Sequence, residues 1–320
     1  MNKKSYIIIL GSFVLVLIGL IIAVILKPTN NGEEPIVRSE EYLKYEKIFN
    51  FEISQDETYY IITKLKSDHA NDHTVVIPNT IDNIPVKKLI GDNSNFVSWK
   101  NVKVIEIPDN IEYIGTNLEN SDNNLADNVF IADGSLTVAI NVSPQNKVYS
   151  SVDGVLFNKD QSILIRYPHA KVDEAVYLNY VVPNTVKTIY NRAFYRNERI
   201  ASLTLTENVE VIGQGAFDGC VNLSQVIFNE NLKEIGIEAF RTCAFKNIVL
   251  PSKLESLGSR AFAYNELLQE LFVPSSVKKF GSNIVSGCSN SLKITTSKDN
   301  FDFLKSNRES FGFKEITIKE

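Results

Sequence analysis

The sequence has few of the residues that build disulfide frameworks and metal sites. Only three cysteines and three histidines occur among its 320 residues. A small, odd number of cysteines excludes a full disulfide framework, and a chain of this length can bury a large enough core without one. Because 44% of the residues are hydrophobic, wholesale disorder is excluded as well.

The sequence also lacks an excess of positive charge. Its 33 Lys and Arg residues are outnumbered by 38 Asp and Glu residues, and the net charge is -5. Nucleic-acid binding depends on clustered Lys and Arg side chains that neutralise phosphates. No such cluster stands out, so we do not expect a nucleic acid as a partner.

Only one long apolar run is present, and it lies near the N-terminus. Residues 5–26 carry no charge, and as a helix they would span roughly 33 Å, enough to cross a hydrocarbon core of about 30 Å. Lys3 and Lys4 precede the run, which favours a cytoplasmic N-terminus and export of the rest. We therefore predict a signal-anchor over residues 1–26 and a single-pass membrane protein whose C-terminal part is extracellular.

A polar linker is predicted over residues 27–41, and it reaches at most about 50 Å. The alternative to an anchor is a cleaved signal peptide and a secreted chain. However, the run is longer than the usual apolar core of a signal peptide, and no A-x-A-like cleavage site closes it.

The strongest pattern is a repeat with steps of 22 or 23 residues. Its turn positions are Pro183, Thr206, Asn229, Pro251 and Pro274. Apolar residues alternate at period two before each turn, which predicts a short strand with one face inward. The inward positions are Tyr180, Leu203, Val226, Ile248 and Leu271, then Val182, Leu205, Phe228, Leu250 and Val273. This period is typical of leucine-rich repeats, whose units bury their apolar faces by stacking.

Two further columns follow each turn. A glycine recurs as Gly213, Gly236, Gly258 and Gly281, which indicates either a tight turn with positive φ or a close approach of two backbone segments. An Ala-Phe pair follows this position in four units and ends at Phe194, Phe217, Phe240 and Phe262, and in the first of these units Tyr190 replaces the glycine. We expect these rings to lie in the core.

The combined pattern, strand–Pro–x–x–Val–x–x–Ile–Gly–x–x–Ala–Phe–x–x–Cys, resembles the BspA-like leucine-rich repeat family of bacterial surface proteins. Residues 51–91 resemble that family's first unit, and residues 148–168 resemble its divergent mid-solenoid unit. Two regions depart from the pattern. Within residues 92–145 only the segment that begins at Val102 fits, and Ile284-Val285 replaces Ala-Phe in the last unit.

The resemblance implies a repeat solenoid over residues 42–298, mainly β, with short parallel strands, turns and short helices. Residues 92–145 are predicted as an irregular insert. Residues 299–320 are predicted as a C-terminal cap, with Asp299 as the N-cap of a short helix and a strand over Glu315–Ile318.

The three cysteines occupy one slot of the repeat. Cys220, Cys243 and Cys288 each lie fourteen residues after the turn position, and Asn197 and Asn265 fill the same slot in the other units. We interpret the slot as a buried position where a small side chain packs or satisfies backbone groups. The alternative is a disulfide between Cys220 and Cys243 across stacked turns.

Other candidate chemical groups fit the repeat better than they fit an active site. His69 and His73 have a spacing that could clasp a metal on a helix, but they lie in a polar turn between two strand-like runs. The S-x-x-K pattern at residues 275–278 matches a serine-nucleophile motif, yet its letters are the turn of the repeat. We therefore predict that the protein is not an enzyme and has no catalytic, metal-binding or cofactor-binding residues.

The outward face of the predicted strands remains as a candidate site. One outward column is Asn179, Ser202, Gln225, Asn247 and Glu270. The other is Val181, Thr204, Ile227, Val249 and Phe272. Apolar β-branched residues favour strands in any setting, whereas an apolar stripe with a rim of amides is typical of a partner site on such a solenoid face.

These patterns favour a membrane-anchored cell-surface protein that binds an unknown protein ligand. The family resemblance implies adhesion to host or matrix proteins or contact with other cells. The alternative is an envelope scaffold that organises neighbouring membrane or wall components, which the short linker favours. In both cases the protein would contact the membrane through its N-terminal helix.

Overall fold

The computed structural model describes residues 38–66, 69, 72–90, 99, 101–115, 135–171, 178–313 and 315–318. The predicted membrane anchor and the linker up to residue 37 lie outside these residues. Within the described part of the chain, no helix combines the length and the hydrophobicity that crossing a membrane requires.

The N-terminal part contains one helix and the first stacked turns. Its elements are α1 (Glu40–Ile48), β1 (Phe49–Ile53), β2 (Tyr60–Leu65), β3 (Thr74–Val76), β4 (Thr80–Ile81), β5 (Ile84–Ile90), β6 (Val104–Ile107), β7 (Tyr113–Gly115) and β8 (Ala139–Val142). The Ser39 side chain caps α1 by accepting a hydrogen bond from the Tyr42 amide at 2.9 Å. After the antiparallel hairpin β1–β2, the strands pair in parallel as β2–β5–β7 and as β3–β6–β8.

The strands β6, β7 and β8 lie within the region predicted as an irregular insert. All three take part in the parallel ladders of the solenoid. Residues 92–98, 100 and 116–134 of that region lie outside the described residues.

An antiparallel meander forms the middle of the solenoid. Its strands are β9 (Tyr149–Val152), β10 (Val155–Asn158) and β11 (Ile163–Arg166). Asp153 and Gly154 connect β9 to β10 with φ values of 49° and 73°, as tight two-residue hairpin turns require. The meander corresponds to the divergent unit expected over residues 148–168.

The regular units follow, and each contributes a strand before its turn and a shorter strand after it. They are β12 (Leu178–Val181), β13 (Thr188–Ile189), β14 (Ile200–Thr204), β15 (Val211–Ile212), β16 (Gln225–Ile227), β17 (Glu234–Ile235), β18 (Asn247–Val249), β19 (Ser256–Leu257), β20 (Glu270–Val273) and β21 (Lys279–Phe280). The two-residue strands form one parallel ladder from β11 through β13, β15, β17 and β19 to β21. The longer strands form a second ladder in two parts, β12–β14–β16 and a part that begins with β18–β20. The predicted leucine-rich repeat solenoid with short parallel strands is confirmed.

The C-terminal cap completes the last turns. It contains β22 (Lys293–Thr296), α2 (Lys298–Ser306), α3 (Arg308–Phe311) and β23 (Glu315–Ile318). The predicted N-cap, Asp299, is wrong: Ser297 holds that position with extended φ and ψ of -71° and 157°. Asp299 instead lies in the first turn of α2, where its negative charge interacts favourably with the helix dipole.

The core is organised around a column of aromatic rings. Tyr167, Phe194, Phe217, Phe240 and Phe262 stack with ring centroids 4.9, 4.8, 5.2 and 5.4 Å apart along the column. Each is at most 2% exposed. A favourable aromatic pair adds about 0.5–1.5 kcal/mol beyond the burial of its area, so the column ties successive units together.

Glycine recurs in this column because the backbones of successive stacked turns lie very close together there. A Cβ atom on Gly236 would lie 2.7 Å from the carbonyl carbon of Gly213, and one on Gly258 would lie 2.4 Å from that of Gly236. The alternative of positive φ is wrong for Gly213, Gly236, Gly258 and Gly281, because none of them has a left-handed backbone. The left-handed positions lie further along each unit, for example at Gly215 and Thr242.

Candidate binding surface

The outward positions of β12, β14, β16, β18 and β20 form a surface that we call the strand face. It consists of the polar column Asn179, Ser202, Gln225, Asn247 and Glu270 and the apolar column Val181, Thr204, Ile227, Val249 and Phe272. Alternation along each strand separates these residues from the buried ones: in β18, Ile248 is buried between two exposed neighbours. The sequence pattern therefore located the outward positions correctly.

The apolar column contains large exposed side chains. Val181, Ile227 and Val249 are 60%, 53% and 60% exposed. Thr204 and Phe272 are partly buried, so Phe272 is less accessible than the sequence suggested. Exposed β-branched residues are unremarkable one at a time, but here they recur at the same position of stacked units.

The column is divided between β16 and β18. Thr204 pairs in register with both Val181 and Ile227, and Val249 pairs with Phe272. No ladder joins β16 to β18 among the described strands. The division coincides with the 22-residue step in the sequence, where Phe245 fills the core beside Phe240 and Phe262.

The polar column consists of small hydroxyl and amide groups up to its last member. The Ser202 hydroxyl donates a hydrogen bond to the Asn179 side-chain oxygen at 2.8 Å, while Gln225 and Asn247 are exposed. Glu270, the charged member, accepts a hydrogen bond from the Thr295 hydroxyl at 3.4 Å. From Asn179 to Val249, the two columns together carry no formal charge.

The side chains in the cysteine slot satisfy backbone groups, as predicted, and the position is buried at Cys220 and Cys243 but only partly buried at Cys288. The thiols of Cys220, Cys243 and Cys288 donate to the carbonyl oxygens of Phe194, Phe217 and Phe262, each 26 residues earlier, at 3.1, 3.4 and 3.2 Å. In the same slot, the Asn265 amide donates to the Phe240 carbonyl at 2.8 Å. Cys220 and Cys243 are free thiols, so the alternative of a disulfide between them is wrong.

Burial raises the pKa of each cysteine thiol. The shift is largest for the fully buried Cys220 and Cys243 and brings the pKa of Cys288 to about 11. A thiol with a raised pKa is a poor nucleophile and metal ligand at neutral pH. The slot therefore supports folding and offers no reactive group.

The comparisons with known proteins agree with this repeat structure. A family described as "BspA type Leucine rich repeat region" matches residues 187–311 in six copies. Residues 187–311 form a BspA-type leucine-rich repeat region. A comparison with curated proteins found no match.

Similar solved structures share low sequence identity with this chain. The pneumococcal vaccine antigen PcpA is 21% identical with a TM-score of 0.48, over 78% of this chain and 79% of that chain. A leucine-rich cell surface protein from Faecalibacterium prausnitzii A2-165 is 19% identical with a TM-score of 0.41, over 85% and 93%. A leucine-rich repeat protein from Eubacterium ventriosum ATCC 27560 is 18% identical with a TM-score of 0.49, over 80% and 71%.

The three histidines, at positions 69, 73 and 169, precede the BspA-type region in the sequence. His69 follows β2 in a short turn, and its Nδ1 atom is 2.8 Å from Asp72 Oδ2, while His73 is exposed. Within the described residues, no group of three or more His, Cys, Asp and Glu side chains is arranged to hold a metal ion. The contact between His69 and Asp72 thus links two residues of one turn.

Charged contacts between stacked units are the feature that sequence reasoning missed. Lys187, Glu210, Lys233, Glu255 and Lys278 occupy one position of successive units and alternate in sign. Lys233 Nζ lies 2.7 Å from Glu210 Oε2, and this contact lowers the pKa of Glu210. Arg241 binds both carboxylate oxygens of Asp218, at 2.8 and 2.7 Å. The sequence contains the signal for these contacts, because an offset of 23 residues aligns opposite charges in successive units.

Proposed function

We propose that this chain is a membrane-anchored protein of the cell surface whose strand face binds a protein partner, as in adhesion. The BspA-type region supports the class of function, because leucine-rich repeat proteins are typically non-catalytic binding proteins. The observation that carries the proposal is the apolar column: Val181, Ile227 and Val249 each leave more than half of the side chain exposed.

The free energy gained by burying the apolar column is too small to support binding by itself. Full burial of a Val or Ile side chain contributes about 1.5–3 kcal/mol, so burying the exposed half of three such residues contributes roughly 3 kcal/mol. Association costs at least about 4 kcal/mol of lost translational and rotational freedom. A partner must therefore also hydrogen-bond to the polar column, whose Gln225 and Asn247 are exposed.

The test is site-specific photo-cross-linking in intact cells. A photoreactive amino acid would replace Ile227 or Val249, and the matched control would carry it at Leu267, which is similarly exposed but lies outside the strand face. We expect a discrete cross-linked product from the first two positions and none from the control. Equal products at all three positions, or none at any, would contradict the proposal.

Loss of binding provides the second readout. Ile227→Lys and Val249→Lys together should leave the melting temperature nearly unchanged, because both side chains already face solvent. The same change should remove the cross-linked product when the photoreactive group is placed at Gln225. A charge without a partner at an interface core costs several kcal/mol.

The second candidate function is an envelope scaffold. The predicted linker of residues 27–41 extends at most about 50 Å, which would hold the solenoid close to the membrane. The two functions differ in where the cross-linked partner originates. A product formed in pure culture, with a partner from the same cell envelope, favours the scaffold, whereas a product that forms only with added matrix proteins favours adhesion.

A further inference from the structure

Two neighbouring units of the strand face lack the main-chain hydrogen bonds that join the others. The amides of Val182, Leu205 and Leu250 each donate to a carbonyl oxygen of the next unit, at 3.0, 3.0 and 3.2 Å. Phe228 holds the same position in the unit of β16. Within residues 178–313, all of which the structure describes, its amide forms no bond to the Val249 carbonyl. We call this break between β16 and β18 the interruption.

The core is less well covered at the interruption than in the neighbouring units. Val226 and Phe228, the inward residues of the unit of β16, are both partly exposed. Phe228 rests edge-on against Phe240, with ring centroids 6.0 Å apart. The equivalent inward residues of the two neighbouring units are at most 4% exposed, and they are Leu203, Leu205, Ile248 and Leu250. Solvent therefore reaches apolar core side chains at this point of the strand face.

The interruption coincides with the shorter step of the repeat. Leu223 follows Cys220 by three residues, whereas Phe245 follows Cys243 by only two, so the later loop has no counterpart of Asn222. The short strands on the other side of the solenoid are unaffected, because β17 pairs in parallel with both β15 and β19. The two units thus stay joined through their short strands while their longer strands are unpaired.

The side chains that border the interruption carry no charge. Gln225 and Ile227 lie on one side, Asn247 and Val249 lie on the other, and all four are exposed. A charged ligand would lose its hydration there without gaining a counter-charge. A wholly apolar ligand would cover the Phe228 amide and the Val249 carbonyl without replacing their hydrogen bonds to water, which is also unfavourable.

An extended polypeptide segment satisfies both requirements. Its main chain presents N–H and C=O groups to either side, as a strand of a parallel ladder does. Its side chains point alternately to opposite faces, so one of them can pack on Val226 and Phe228 while the next faces solvent. Strand addition of this kind draws affinity from main-chain hydrogen bonds and specificity from alternate side chains. The neutral border fits a segment without charged residues.

We propose that the interruption is the centre of the partner site and receives an extended, uncharged segment of the partner protein. The main chain of that segment pairs with the Phe228 amide and the Val249 carbonyl, and one of its apolar side chains packs on Val226 and Phe228. The one-residue shortening of the repeat keeps these groups open. This inference rests on the proposed function of the strand face and specifies the chemistry of the partner.

Amide hydrogen exchange in the full-length chain tests whether the interruption is open. Fragmentation mass spectrometry resolves the exchange to single residues. The Phe228 amide should exchange at least about a hundredfold faster than the amides of Leu205 and Leu250, which hold the same position and are hydrogen-bonded. Equal protection at all three positions would show that β16 and β18 are paired, which would overturn the proposal.

Restoring the 23-residue step should close the interruption and remove binding. One asparagine inserted between Ala244 and Phe245 supplies the missing counterpart of Asn222. We expect this variant to protect the Phe228 amide and to melt no lower than the wild type, because the ladder becomes continuous. Cross-linking to the partner from a photoreactive group at Gln225 should fall about tenfold or more, since the centre of an interface carries most of its affinity.

The matched control inserts one asparagine between Val221 and Asn222, in the same loop of the preceding unit. This change leaves the short step in place, so the Phe228 amide should stay unprotected and cross-linking from Gln225 should persist. If both insertions remove the cross-linked product, the partner does not recognise the interruption. The proposal also falls if the insertion after Ala244 leaves the Phe228 amide unprotected.

The outcomes separate this inference from the proposed function. A folded variant with the insertion after Ala244 that protects the Phe228 amide and still captures the partner would overturn the inference. The proposed function would stand in that case if Ile227→Lys with Val249→Lys still removes the product. If the insertion lowers the melting temperature, the wild-type cross-linked product decides. Its Phe228 amide should exchange at least about tenfold more slowly than in the free protein, and unchanged exchange would overturn the inference.

Discussion

Replacing Gly258 with alanine should be among the most damaging single-methyl changes in this solenoid. The added Cβ atom would lie 2.4 Å from the carbonyl carbon of Gly236 and 2.4 Å from the backbone nitrogen of Ile237. Both atoms belong to the backbone of the preceding turn, which cannot rotate away as a side chain could. The amide of Gly258 also donates to the Ile235 carbonyl at 2.8 Å, so separating the turns would strain that hydrogen bond.

The magnitude follows from the contacts. Overpacking a well-packed core costs about 1–3 kcal/mol, and a clash with two backbone atoms belongs at or above the upper end. Alanine recovers only about 0.4–1 kcal/mol through the lower entropy of the unfolded chain. We therefore expect Gly258→Ala to lower the free energy of unfolding by about 2–3 kcal/mol or more.

The matched control is Gly215→Ala, which tests the other reason for glycine. Gly215 has φ of +58°, and the atom nearest to an added Cβ would be in the flexible Arg192 side chain, at 3.3 Å. A left-handed alanine costs about 1–2 kcal/mol, and Glu238 and Arg260 adopt this conformation in later units. Equilibrium urea unfolding measures both variants. If Gly258→Ala loses less stability than Gly215→Ala, the close-approach explanation is incorrect.

Three further predictions follow from contacts in the described part of the chain, and a fourth follows from the N-terminal sequence. Phe240→Ala should lower the free energy of unfolding by about 3–5 kcal/mol in urea titrations, because it opens a cavity in the ring column; a loss below about 1 kcal/mol would contradict the stacking. Thr242→Gly should raise the free energy of unfolding by about 0.5–1 kcal/mol, and with it the melting temperature, since a β-branched residue with φ of 59° is strained; a lower melting temperature would show that Thr242 is not strained. The Cys288 thiol, with its pKa raised by burial to about 11, contributes stability that is complete below pH 9 and is lost as the pH rises through about 11; Cys288→Ala should flatten this part of the stability–pH curve, and an unchanged curve would refute the assignment. Protease added to intact cells should degrade residues 41–320 and spare the predicted anchor, whereas recovery of the intact chain would contradict the exported topology.

The sequence was sufficient for the repeat because stacking imposes strict columns. A position that faces the core in one unit must face it in the next, so Leu203 and Leu271 share both their identity and their burial. The slot of Cys220 and Asn265 was interpretable for the same reason, since both side chains donate to a phenylalanine carbonyl of an earlier unit. Once the register of one unit is correct, the period assigns the equivalent residues of the other units as well.

The sequence did not decide between two structural explanations where either one accounts for the same residue type. The recurrence of glycine at positions 236 and 258 fits both positive φ and close backbone approach. The structure decides for close approach, because neither residue has positive φ and a Cβ atom on Gly258 would lie 2.4 Å from the carbonyl carbon of Gly236. The N-cap of α2 was predicted wrongly for a similar reason, because Ser297 and Asp299 are both good capping residues. The sequence shows that one step of the repeat has 22 residues instead of 23. It does not show that the ladder of longer strands is interrupted there, between β16 and β18.

The strand face also raises the question of why apolar residues occupy outward positions at all. Strand propensity is one answer, but it spans only about 1 kcal/mol and includes threonine among the favourable residues. Thr204 occupies the same column between Val181 and Ile227 and pairs in register with both. A polar β-branched residue thus forms this strand as well as its apolar neighbours do. Folding therefore does not require Val181, Ile227 and Val249 to be apolar, whereas burial against a partner would benefit from every one of them. Replacing these three residues with threonine isolates that benefit: the melting temperature should stay within about 2 °C of the wild type, and cross-linking to the partner from Gln225 should fall. A folded triple variant that still captures the partner would place the binding surface elsewhere.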